Sequence, residues 1–264
     1  PEKFNKKPHK SAPKWIAPVV ALVLVLAVVA GVTFSILNVN GVMRRARTSV
    51  SSEHYTVTGT MMSVYYNSTV QAYNSQAYQY AYYYSVIYGQ NSGKSLSDWY
   101  QQLLGYNQYK DLDKQYKDEK SKQTWFDYFL ASTKSSVKSM LVHCEAAYAA
   151  GFELSADDLA SIDEQIESMK TEASKNSLSL SSYISNTYGT GVKEKDFREA
   201  YRLQLLASKY REKVNDDLDN SIVEDDITKY YDEHKTDYSV IRYFSYTAKL
   251  ENDEQKAAVE AMTE

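Results

Sequence analysis

One cysteine, four prolines, nine glycines and four histidines are all that 264 residues contain of these types. A lone Cys, Cys144, excludes an internal disulfide framework and a cysteine metal cluster, and suits an export route without disulfides. So little Pro and Gly favours long helices over many turns. His9, His54, His143 and His234 are scattered and share no ligand spacing. A net charge of −4 gives no reason to expect nucleic acid. No Gly-rich phosphate loop occurs, because YGTG at Tyr188–Gly191 follows no strand and lacks the P-loop Lys. No cofactor, metal or catalytic constellation is expected.

What is present begins with one uncharged run from Trp15 to Leu37. As a helix it reaches about 34 Å, against a hydrocarbon core of about 30 Å. The expectation is a transmembrane helix over 15–37. Lys3, Lys6, Lys7, Lys10 and Lys14 precede it, and Arg44, Arg45 and Arg47 follow. That bias predicts a cytoplasmic basic tail over 1–14 and a single-pass plasma-membrane protein with its C-terminal part outside. A cleaved signal peptide is the alternative, although no A-x-A motif follows the run. The start without Met and the stop inside KLENDEQKAAVEAMTE suggest a piece of a longer protein.

The rest reads as mainly α. A linker over 38–53 leads to a β-like HYTVTG at His54–Gly59. Met62, Tyr66, Val70, Tyr73, Ala77, Tyr80, Tyr84 and Ile87 recur every three or four residues and predict a helix over Thr60–Tyr88. A short helix fits Asp98–Leu104, and Gly105–Gln123 reads as a solvated linker. Phe126, Leu130, Thr133, Val137, Met140, Leu141, Cys144 and Tyr148 mark a helix ending at Gly151, a C-cap. Ser155 and Asp158 resemble a capping box that opens a helix with Leu159, Ile162, Ile166, Met169 and Ala173 inward. Further helices fit Ser179–Tyr188, Lys193–Leu218, and Val223–Lys235 with Ile227, Tyr230 and Tyr231 inward. Alternation over Val240–Tyr246 predicts a strand, and a last helix starts near Asn252. Asp157/Asp158, Asp216/Asp217 and Asp225/Asp226 read as caps and solvated faces rather than acid–base pairs. Cys144 sits on an apolar stripe and reads as a buried thiol, not a nucleophile.

Tyrosine is the other abundance, with 25 in the chain. Ten of them, from Tyr55 to Tyr88, crowd one short region. Tyr combines a large apolar ring with a polar tip, which suits adaptable binding surfaces. Tyr66, Tyr73, Tyr80 and Tyr84 lie on the helical stripe and read as core. Tyr65, Tyr78, Tyr82 and Tyr83 lie off it and are the client-binding candidates. Trp99 and Trp125 read as packing anchors.

Three motifs carry a resemblance: AAYAAGFELSADD at Ala146–Asp158, YGTGVKEKDFR at Tyr188–Arg198 and EDDITKYYDEHK at Glu224–Lys235. In this order they resemble the SurA/PrsA-type extracytoplasmic foldases, in their Tyr-rich Gram-positive form. The resemblance implies an all-α chaperone domain over 54–238 and the start of an α+β parvulin-like domain over 239–264. It implies unfolded or newly exported polypeptides as partners, with oligomeric state open. Where the family's first parvulin strand carries a His, this chain has VIRYFSY with Tyr243, so isomerase activity is not supported within it. Two alternatives stand beside the chaperone: a peptidyl-prolyl isomerase whose catalytic part lies past Glu264, and a helical stalk or sensor binding one partner.

Overall fold

The computed structural model describes residues 16–238, 249 and 252–261. Ten α-helices dominate these residues, with two small two-stranded sheets. The molecule divides into two units, residues 1–214 and 215–264.

Helix α1 spans Ile16–Val39. Its described side chains begin at Val25, and those through Leu37 are exposed. Among the described residues no helix is long and apolar enough to cross a membrane. This corrects the transmembrane helix expected over 15–37 and, with it, the single-pass plasma-membrane placement. Trp15 and the basic tail over 1–14 lie outside the described residues.

Helix α2 (Val42–Arg45) follows α1 directly. Gly41 and Gly191, at φ 69° and 83°, bring two backbones into contact. A Cβ on Gly191 would stand 2.5 Å from the Gly41 nitrogen, so neither position tolerates a side chain. The stretch expected as linker then forms a strand, β1 (Thr48–Ser51), pairing antiparallel with β2 (Thr56–Thr58). This hairpin delivers the chain to α3 (Gly59–Ser92), whose N-cap Thr58 accepts from the Met61 N–H. Helix α3 runs past the break expected at Gly89 and ends at Gly93 in the left-handed region.

Helix α4 (Leu96–Leu104) opens with a Ser95/Asp98 capping box and folds back on α3. The segment expected as solvated linker instead carries β3 (Tyr116–Asp118) paired with β4 (Gln123–Thr124), and Tyr106 within it is buried. Helix α5 (Trp125–Ala149) opens with a Thr124/Asp127 capping box. It closes in a Schellman motif: Phe152 N–H donates to Ala147 O at 2.9 Å and Gly151 N–H to Tyr148 O at 3.0 Å. The expected capping box at Ser155 opens α6 (Ala156–Lys175). Helices α7 (Leu180–Tyr188) and α8 (Glu194–Ser221) follow.

Two apolar cores sit in the first unit. The larger gathers Val57 and Met61 with side chains from α5, α6 and α8, among them Leu141, Cys144, Ile166 and Leu203. The smaller packs Ala77, Leu104, Tyr106, Trp125 and Phe129. The second unit contains α9 (Glu224–Glu233) and α10 (Asp253–Glu260). There the inward face expected for α9 is corrected: Ile227, Tyr230 and Tyr231 are all about half exposed, with only local ring contacts such as Tyr230 stacked on His234 and Tyr231 beside Tyr238. The expected strand at Val240–Tyr246 lies outside the described residues, as does most of the expected parvulin-like domain.

Candidate client-binding surface

Tyrosines on α3 divide by where they fall along the helix. Its start faces the larger core through Met61, Met62, Val64 and Tyr65, while Tyr66, Val70 and Tyr73 turn to the smaller. Tyr65, expected on the surface, is buried, and its hydroxyl donates to Ala200 O at 2.7 Å. Burial pushes its phenol strongly upward. Tyr65 is therefore a core residue tying α3 to α8, which corrects its place among the client-binding candidates. The reason is geometric: where both α5 and α8 pack on α3, the buried arc is wider than a single stripe.

Toward its C-terminal end α3 packs on α4, and the covered arc narrows to Ala77, Ala81 and Tyr84. Tyr84 stacks on Trp99 at 5.4 Å, and the Lys94 ammonium stands 4.6 Å over the Trp99 ring. Most of the other described side chains on this half are open. Tyr78, Tyr82 and Tyr83 are 50–59% exposed. Tyr80, expected in the core, is 53% exposed, and Val86, Ile87 and Tyr88 are exposed as well. The stripe slips by one residue here, from Tyr80 to Ala81, so that the tyrosine faces water. With about 200 Å² per ring, five half-exposed tyrosines present roughly 500 Å² of ring surface, spread around the helix. Tyr78 also meets Tyr100 of α4 edge-on at 5.7 Å. Trp125 is buried and Trp99 half-buried, as expected of packing anchors.

A second feature was not legible from the sequence. Two adjoining depressions of about 440 and 340 Å³ run beside α5 and share Ser136, Met140 and Gln204. The smaller continues to Tyr65, Ala72 and Val137, the larger to Ser139, His143 and Arg211. A sequence pattern marks which residues face a core but not how far apart two helices stand, so nothing announced this groove.

The remaining chemical groups are structural. Cys144 is fully buried, its thiol donates to Leu203 O at 3.4 Å, and burial pushes its pKa up to about 11. His54 Nδ1 pairs with Glu145 Oε2 at 2.7 Å and its ring stacks on Tyr148. The His54 backbone N–H, with the Ser52 and His54 side chains, holds the Glu145 carboxyl down to about 2. Asp196 is 5% exposed and takes two 2.6 Å bonds from the Arg45 guanidinium. Burial pushes its carboxyl up. Arg45, the Lys193 N–H and the Thr60 hydroxyl outweigh that and hold it below the carboxylate range. Asp196 lies inside the DFR motif, yet neither its burial nor its Arg45 partner was foreseen. Among the described residues no group of three His, Cys, Asp or Glu side chains could hold a metal ion.

With this geometry in hand, comparison with known proteins finds nothing: no family model, no curated protein and no solved structure matches the chain.

Proposed function

We propose that this protein is a chaperone that holds unfolded polypeptide segments. One observation carries the reading. The outer half of α3 is aromatic on faces that its own packing does not need. A helix packed on one side requires an apolar stripe over roughly a third of its circumference, and Ala77, Ala81 and Tyr84 supply it. Tyr78, Tyr80, Tyr82 and Tyr83 surround the remainder. Exposed tyrosines keep an apolar surface hydrated when empty and offer ring area to varied partners when engaged. The SurA/PrsA resemblance, resting on the motifs at Ala146–Asp158, Tyr188–Arg198 and Glu224–Lys235 in that order, points the same way.

The test replaces Tyr78, Tyr82 and Tyr83 together by Ser. Suppression of aggregation of a chemically unfolded client should fall, while the melting temperature stays near that of the parent. A variant that stays folded and protects the client as well as the parent would show that these rings are not the binding surface.

A further inference from the structure

We propose that the groove beside α5 binds an extended polypeptide segment carrying an apolar side chain near a carboxylate side chain. This rests on reading the protein as polypeptide-binding and specifies which segments it favours.

The groove has two chemically different ends. At one, Ala72, Val137 and Met140 form a small apolar floor, and Met adapts its unbranched chain to varied shapes. At the other stands Arg211, which has no hydrogen bond or ion pair among the described residues. No carboxylate lines either depression. Glu212, next in sequence, is engaged by Lys209 at 3.4 Å. A guanidinium with its fork unused is matched by a carboxylate, which it can hold through two parallel bonds. Between the ends, the hydroxyls of Ser135, Ser136 and Ser139 likewise have no hydrogen-bond partner among the described residues. An extended backbone brings carbonyls and N–H groups that need partners, and this row of hydroxyls supplies donors and acceptors. The volumes fall within the range of binding clefts.

The experiment measures fluorescence anisotropy of two labelled peptides of alternating Leu and Ser, identical except for one central Asp or Lys. The parent should bind the Asp peptide about fivefold more tightly at low salt, the scale of one exposed ion pair, with the advantage shrinking as salt rises. Arg211→Glu, at an exposed position, should abolish or invert that preference. Ala72→Trp should fill the apolar end and weaken both peptides alike. Thermal melts establish that both variants are folded. Equal binding of the two peptides by the parent, or an Asp preference that survives Arg211→Glu, overturns the groove proposal. If client aggregation is still suppressed in that case, the chaperone reading stands without it. If the parent binds neither peptide and protects no client, both fall together.

Discussion

The two cores of the first unit differ in how completely they pair their buried polar groups. In the larger core a buried ring has its polar tip tied down: Tyr65 donates to Ala200 O. Other polar groups there also have partners, as when Thr60 donates to Asp196 and Cys144 to Leu203 O. Around the smaller core Tyr73 donates to Leu104 O at 3.2 Å and Tyr106 to Asn74 Oδ1, yet the Tyr66 hydroxyl and the indole N–H groups of Trp99 and Trp125 are buried without a partner. Each such group costs about 1–3 kcal/mol. Ring packing compensates: Trp125 lies 5.0–5.7 Å from Tyr73, Tyr106, Tyr128 and Phe129. One region specifies its geometry through hydrogen bonds. The other adds to its hydrogen bonds a cluster of packed rings, whose contacts are less directional and more tolerant of rearrangement. The exposed tyrosines continue from the second.

The strongest way to probe this contrast is to remove the ring at the centre of the aromatic cluster. Phe129 is 1% exposed, and Phe129→Ala should cost about 4 kcal/mol through lost burial and a residual cavity. Near-UV circular dichroism followed through thermal unfolding should show the aromatic signal melting early. A single unchanged transition would mean that the two cores behave as one. In the hydrogen-bonded core the corresponding cut is Arg45→Met, which strands the Asp196 carboxylate. It should cost about 3 kcal/mol in chemical denaturation, and Asp196→Leu added to it should recover part of the loss. If Arg45→Met alone is neutral, the ion pair is not what fixes α2 against the start of α8.

Much of the larger core was legible. Ile166 and Met169 face it as their spacing predicts, as do Val137, Leu141 and Cys144, and Ile162 and Ala173 are buried beside them, whereas Leu159, expected inward with them, is exposed at the start of its helix. The capping box at Ser155 and the left-handed Gly151 mark helix ends where the sequence puts them, because both depend on residues within one turn. At helix ends the spacing drifts. Trp125 and Phe129 are buried where Phe126 and Leu130 were expected to be, and Ala147 is buried in place of Tyr148. An apolar pattern does not choose between adjacent large residues when the helix meets a new neighbour at each turn. Tyr65 and Tyr80 exchange places for that reason, one buried by α8 and the other freed once α4 covers a different arc. The second strand of the β1–β2 hairpin was read in HYTVTG, but its partner Thr48–Ser51 carries no alternating apolar pattern, and the Arg45–Asp196 pair joins residues far apart in sequence. Of the candidates Tyr65, Tyr78, Tyr82 and Tyr83, three stand on the surface.

Acid should act on the larger core through Glu145, which anchors His54 beside α5. Its carboxyl titrates near 2 when folded against an ordinary value of 4.5. A depressed carboxyl contributes stability that is fully present above the unfolded pKa and is lost as pH falls through the folded one. The melting temperature of Glu145→Gln should therefore lie below the parent's at pH 7. The gap should narrow from pH ~4.5 downward and close near pH 2. A gap independent of pH would place the Glu145 effect in packing rather than charge.

The smallest expected effect draws the sharpest line between the two regions, because it compares neighbours on one helix. Tyr65→Phe and Tyr66→Phe each delete a single oxygen. In Tyr65 that oxygen donates to Ala200 O at 2.7 Å, so its loss removes a satisfied buried hydrogen bond and should cost about 1 kcal/mol. In Tyr66 the hydroxyl is buried without a partner, and burial, the largest cause, pushes its phenol up to about 12. Deleting it removes a group that folding desolvates without compensation. Tyr66→Phe should therefore be neutral or stabilising by up to about 1 kcal/mol. The ring of Tyr66, 5.4 Å from Phe126, keeps its packing in either case. Urea denaturation with a common m-value measures the difference between the two variants. If both lose the same stability, the Tyr66 hydroxyl has a partner in solution, such as an ordered water, and the smaller core is as well hydrogen-bonded as the larger.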